Sequence, residues 1–289
     1  MRLLLFSLLV CPAWVAPQAS ASAPSAVAIY SRYLAALDKD SLDAISVAVG
    51  QFRALFAGQP PALGDSACLA FLTYFHATIS RLNDRVWEDF DFIAQLHAAP
   101  TQQGPEVARF LAALERNGLA LYSFGRLLYI DQQPDYVYGQ FVPVVSEAVS
   151  RYLALRRGEL ISGFSDSDSL LIPYRTLGER IVRWERYLDR YPESVMVGRA
   201  AYYYRLYLST FVTGLRNSPV FDAAGALDPR LSTVYHEFAS RHLLTRSGAI
   251  VREFYTLLRA ADFRWSPPVR DFYEAHGITN MHRAQVPYR

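Results

Sequence analysis

The sequence predicts an all-α fold of stacked αα-hairpins, helical-repeat-like or an irregular helical bundle, with about 9–11 helices. Three observations predict it. Leu177, Ile181, Trp184, Leu188 and Tyr191 recur at helical spacing and share one stripe. Pro192 then ends that helix, because proline has no N–H to give and disfavours a helical residue before it. Beyond it Met196, Ala200, Tyr203, Tyr204, Tyr207, Leu208 and Phe211 mark a second amphipathic helix, with Glu193 and Ser194 at its opening. No stretch shows a convincing period of two, so no strand is expected; patches such as VYGQFVPVV fit a helix equally well.

The other elements come from the same signals. Residues 26–37 form a first helix, and Asp40 is placed to cap a second over 41–56, which turns Leu42, Ile45, Val49, Phe52 and Phe56 inward. Gly58, Pro60, Pro61 and Gly64 make a loop, with Asp65 or Ser66 capping the next helix. Residues 66–97 contain neither proline nor glycine, and their apolar positions step by threes and fours. One helix of about 45 Å is expected there. A helix over 106–131 is broken at Asn117-Gly118, a helix-stop pair, and Pro143 kinks or splits another over 135–157. The polar run 162–169 (SGFSDSDS) divides an N-terminal helical region, 24–161, from a C-terminal hairpin region, 162–289, unless the two are continuous. After the loop 214–229, helices are expected at 229–243 and 247–262, with a short last one opened by Pro267-Pro268 and ended at Gly277.

Composition narrows the function. The chain has 289 residues, 52% hydrophobic and 19% charged, enough for a sizeable core, and a formal net charge of +2. That near-neutrality argues against a nucleic-acid partner. Residues 1–23 have the layout of a secretory signal peptide: Arg2, an apolar run from Leu3 to Val10, and small-x-small sites for cleavage after Ala21 or Ala23. Lipidation at Cys11 is disfavoured, since Val10 stands where such signals want a small residue. No later run is long and apolar enough for a transmembrane segment. Cys68, in SACLAFL, reads as a buried packing thiol without a partner. A periplasmic or secreted location is expected.

Two segments match each other weakly. Trp184 aligns with Tyr235, Tyr187 with Phe238, Tyr191 with His242, Ser194 with Ser247 and Tyr202 with Tyr255. That pattern suggests stacked copies of one hairpin. The string Tyr187-Leu188-x-x-Tyr191-Pro192-x-Ser194, followed by Ala200, Ala201 and Tyr203, resembles the Y-P-x-S junction of tetratricopeptide-like helical-repeat proteins of the bacterial envelope. The resemblance covers only this segment and departs from the family in its repeat period. It implies a helical scaffold that binds partner proteins, and it carries over no functional residue.

Catalytic patterns are sparse. His236 and His242, like His276 and His282, are six apart and cannot share a helix face as zinc ligands do, so no metal site is expected. No phosphate loop, dinucleotide fingerprint or serine-nucleophile motif is present, and no cofactor is implied. Asp84, Glu88 and Asp91 align along a helix but read as a solvated face. Glu193-Ser194 superficially resembles the catalytic pair of lytic transglycosylases, without that family's Gly-Leu-Met-Gln stretch; a helix N-terminus accounts for both residues. The sharper constellation is Arg180, Arg183, Tyr187 and Arg190 on one helix, with Arg199, Tyr202 and Arg205 on the next. Arginine with tyrosine is the composition of binding hot spots. The expectation is a non-enzymatic periplasmic scaffold binding a protein or peptide partner, as an envelope adaptor or immunity-type inhibitor. The alternative is a peptidoglycan hydrolase using a carboxylate such as Glu88 or Glu193, and a weaker third reading is a carrier with an aromatic-lined cavity.

Overall fold

A computed structural model describes residues 25–98, 104–124, 127–166 and 168–278. The expected leader and the end of the C-terminal tail lie outside the described residues. Helices dominate, twelve of them among the described residues, with three two-stranded antiparallel pairs. The fold is all-α. The helix count exceeds expectation because two predicted long helices are each divided.

In the first half, α1 (Ala26–Ala36), α2 (Asp43–Phe56) and α3 (Pro61–Glu88) pack around an aromatic centre. Tyr30, Phe52, Phe56, Phe71, Phe75 and Phe141 are all fully buried there. Phe52 and Phe141 meet tilted at 4.4 Å, and Phe71 and Phe75 stack at 5.4 Å. The Tyr30 hydroxyl donates to the Ala48 carbonyl at 3.0 Å, so the polar end of this buried ring is satisfied. Cys68 is buried in the same layer, and burial pushes its thiol far above the ordinary range, which leaves it inert.

Several caps differ from expectation. Asp40 does not cap α2, which starts three residues later; its two carboxylate oxygens instead accept from Arg81 Nε and Nη2, at 3.0 and 2.8 Å. The loop predicted through Gly64 is already helix, because Pro61 suits a first helical position. Gly64 gives α3 the clearance to cross the Val144 carbonyl, which an added Cβ would approach to 2.2 Å. Asp65 serves another helix altogether: its carboxylate accepts from the Ser146 amide at 2.7 Å, at the N-cap of α7 (Glu147–Ser162). The expected helix over 66–97 ends at Glu88, and α4 (Phe90–His97) begins anew after Asp89. Asp89 leaves the helical region and accepts from the Phe92 amide at 2.9 Å, the N-cap preference of aspartate prevailing over an unbroken apolar rhythm.

The largest correction falls on 106–131. α5 (Pro105–Arg116) stops at Asn117-Gly118 as predicted, but a hairpin comes next rather than more helix: β1 (Leu119–Phe124) pairs with β2 (Leu127–Gln132). Gly118 adopts φ +70°, and a Cβ there would fall within the Tyr136 ring, at 1.9 Å from its nearest atom, so glycine is required. The hairpin is held to α3 by a side chain acting as a strand edge. Asn83 donates to the Ile130 carbonyl at 2.8 Å and accepts from its amide at 2.7 Å. Pro143 splits the next helix as expected, into α6 (Pro134–Phe141), a 3-10 turn and α7.

The second half is the predicted pair of hairpins. The run 162–169 contains a minimal strand pair, β3 (Ser165–Asp166) with β4 (Ser169–Leu170). α8 (Tyr174–Arg190) packs against α9 (Val197–Thr213); after β5 (Gly214–Leu215) and β6 (Ser218–Pro219), α10 (Pro229–Arg241) packs against α11 (Arg246–Ala260), and α12 (Pro267–Ala275) closes against α11. Ser194 does not start α9. Its hydroxyl meets the Tyr187 hydroxyl at 2.8 Å and accepts from the Met196 amide. The aligned positions of the two hairpins fall at equivalent places: Trp184 and Tyr235 are both fully buried, and Tyr191 and His242 both follow the last residue of their helix. Buried side chains of 24–161 and 162–289 belong to one connected apolar cluster.

Candidate functional site

α8 is a central helix, in contact with α7, α9, α10 and α11. It therefore buries more than one stripe, including Arg180, Glu185 and Tyr187. The predicted arginine–tyrosine constellation is accordingly not one exposed face. Arg180 is 1% and Tyr187 2% exposed. Arg199 and Tyr202 are half-buried, and Arg199 reaches α3, meeting His76 Nδ1 at 3.1 Å and the Thr73 hydroxyl at 3.2 Å. Arg183, Arg190 and Arg205 remain in solvent. Among the described residues Arg183 pairs only with Glu179 on its own helix, at 3.1 Å; Arg190 bonds the Tyr191 hydroxyl and Glu147. Arg205 makes no hydrogen bond or ion pair to other described residues.

The buried arginine belongs to a polar network that sequence reasoning missed. Glu159, on α7, is 7% exposed. Its Oε1 accepts from the Trp184 indole N–H at 2.6 Å; its Oε2 accepts from Arg156 at 2.6 Å and from the Tyr207 hydroxyl at 2.9 Å. One carboxylate thus joins α7, α8 and α9. Arg180 lies beside it and donates to the Ser162 hydroxyl at 2.6 Å and the Gly163 carbonyl. Burial raises the Tyr207 hydroxyl well beyond the usual phenol range, and the adjoining Glu159 adds to the effect, so that hydroxyl stays a donor. Nothing in RRGELIS separates Glu159 from the solvated acids around it; only its position under Trp184 does, and that is a tertiary fact.

A second buried carboxylate works between the hairpins. Glu185, on α8, accepts from the Arg246 and Ser247 amides and the Ser247 hydroxyl, at the N-terminus of α11. A negative side chain there satisfies orphan helix amides and complements the dipole. Both buried acids therefore have their oxygens filled by protein donors.

The acids considered for hydrolysis lie elsewhere. Glu88 and Glu193 are exposed, as are Asp84 and Asp91, and the break at Asp89 takes Asp91 off the helix of the other two. Among the described residues no group of three or more histidine, cysteine, aspartate or glutamate side chains is placed to hold a metal ion. None of the described helices is long and apolar enough to cross a membrane.

A narrow cleft among the described residues is lined by α3, β2, α6 and α7, with Tyr203 of α9 as its one wall from the C-terminal half. Its walls include His76, Gln132, Tyr138, Arg156, Arg157 and Tyr203. His76 is pushed down to about 3 by burial, with the charges of Arg199 and Arg156 adding to it, so the ring is neutral at physiological pH.

No protein-family model matches this chain, and neither does any curated protein or solved structure.

Proposed function

We propose that the chain is a non-enzymatic helical scaffold of the bacterial envelope, exported to the periplasm, that binds a protein or peptide partner as an adaptor or an immunity-type inhibitor. The observation that carries the reading is the division of the arginine–tyrosine constellation. Arg180 and Tyr187 are locked inside, while Arg183, Arg190 and Arg205 project from the same hairpin into solvent. A rigid base presenting guanidinium groups loses little entropy when a partner docks, and arginine forks match carboxylates. The sequence-level support is the leader-like start and the resemblance to tetratricopeptide-like repeats. The hydrolase reading gains no support from Glu88 or Glu193, each exposed and outside the cleft.

The test is affinity capture from envelope extract with the wild-type chain and an Arg183→Ala/Arg205→Ala variant. Arg183 gives up only an exposed pair on its own helix, worth roughly 0.3–0.5 kcal/mol, so the fold persists. Recovery of a partner by the wild type, reduced at least about tenfold in the variant, is expected for hot-spot arginines. Equal recovery by both would remove this surface from the proposal.

A further inference from the structure

The hairpin of β1 and β2 has two edges, and they are treated differently. Just before the strands begin, the Gln133 amide donates to the Gly118 carbonyl at 2.7 Å. In an antiparallel pair, hydrogen-bonded and non-hydrogen-bonded couples alternate along the strands. Counting from Gly118 and Gln133, Ala120 bonds with Asp131 and Tyr122 with Tyr129 across the hairpin. Leu121 and Ser123 on β1, and Ile130 and Leu128 opposite them, therefore turn their N–H and C=O groups outward. On the β2 edge the Asn83 side chain takes both groups of Ile130, as a neighbouring strand would. On the β1 edge the main-chain groups of Leu121 and Ser123 meet no hydrogen-bond partner among the described residues.

This edge lacks the devices that ordinarily blunt a strand. LALYSF contains no proline and no charge, and its six pairs with β2 run without a bulge. Ser123 is exposed, and Leu121 and Tyr122 are half-buried. β1 packs chiefly on β2 and on α5, the helix that leads into it. Two residues, one apart, thus each offer a donor and an acceptor in the same direction, the half-ladder that an added strand completes.

The side chains along the edge narrow the occupant. Leu128 and Ile130 face the core and are buried. On the other face Tyr122 and Tyr129 stack at 5.6 Å, with Tyr129 40% exposed. Asp131 shares that face, and Asp166 lies near enough to act on Tyr129: burial, then the charges of Asp166 and Asp131, hold its hydroxyl above the usual phenol range. Arg156, a cation that acts on Asp131, is itself bound to Glu159. Aromatic rings beside carboxylates favour a cation. We propose that the open edge of β1 receives an extended peptide strand of a partner protein, with an arginine or lysine beside Tyr122. This surface uses none of Arg183, Arg190 and Arg205, so its test reads apart from the capture experiment.

The experiment titrates the isotope-labelled full chain with two capped pentapeptides, Thr-Val-Arg-Val-Thr and Thr-Val-Glu-Val-Thr, and follows amide exchange and chemical shifts, in the wild type and in Ser123→Pro. The Ser123 N–H points away from β2, so proline there removes an edge donor and no ladder bond, and thermal unfolding is unchanged. The Leu121 and Ser123 amides are expected to exchange freely in the unbound chain and at least about tenfold more slowly with the arginine peptide. The glutamate peptide is expected to bind at least about threefold more weakly, and Ser123→Pro to weaken the arginine peptide about tenfold. Protection of both amides before any peptide is added, equal affinity for the two peptides, unchanged binding in Ser123→Pro, or no binding of either peptide would overturn the proposal. So would a wild-type dimer in sedimentation that Ser123→Pro makes monomeric, since a second copy would then occupy the edge.

Discussion

Replacing Glu159 with alanine is expected to destabilise the chain by about 3–5 kcal/mol, because it breaks a buried charge pair from one side. The carboxylate is the shared acceptor for Trp184, Tyr207 and Arg156. Without it the indole N–H and the phenol O–H lose their partners in a dry interior, and Arg156 loses its counter-charge. For a chain of this size the midpoint of thermal unfolding falls by roughly 10 °C. Glu159→Gln keeps an acceptor for the indole but not the charge, and is expected to lie between wild type and alanine. Urea unfolding of the three proteins checks the order. A loss below about 1 kcal/mol for the alanine variant would mean that the network does not hold α7 to the hairpin.

Replacing Glu185 with alanine should cost about 2–4 kcal/mol, from hydrogen bonds to a charged acceptor that are lost together. Here the effect has an address. Glu185 caps the start of α11 from α8, so amides 246–251 are expected to exchange hydrogen faster while the core of α3 stays protected. Glu185→Gln retains an acceptor oxygen and should recover part of the loss. Uniform acceleration across the chain, or none at the start of α11, would contradict the role given to this carboxylate in stacking one hairpin on the next.

Much of this fold was legible in the sequence because helices that bury a single stripe announce themselves by period. Leu177, Ile181 and Trp184 are fully buried, and α8 ends one residue before Tyr191, close to the stop that Pro192 implied. The hairpin of β1 and β2 was not legible. Its strands are six residues each, with Tyr122 facing Tyr129 across the pair, and aromatic runs of that length carry no period that distinguishes them from a helix. The break at Asp89 was hidden because the apolar spacing of α3 carries on into α4.

The candidate site was less legible than the fold. A residue type says what a side chain can do, and a helical stripe says which neighbours share a face, but a central helix has several buried faces. Arg180 and Tyr187 were grouped with Arg183 on spacing alone, and only the packing of α8 against four other helices separates them.

The proposed reading is that this chain holds a partner and does not cut a substrate. Its buried acids are filled by protein donors, and the acids considered for hydrolysis are exposed. Incubating the purified chain with insoluble peptidoglycan and assaying soluble muropeptides tests that claim most directly. Release no greater than in the protein-free control is predicted across the pH range in which the chain stays folded; fragment release that disappears in Glu88→Gln or Glu193→Gln would contradict it.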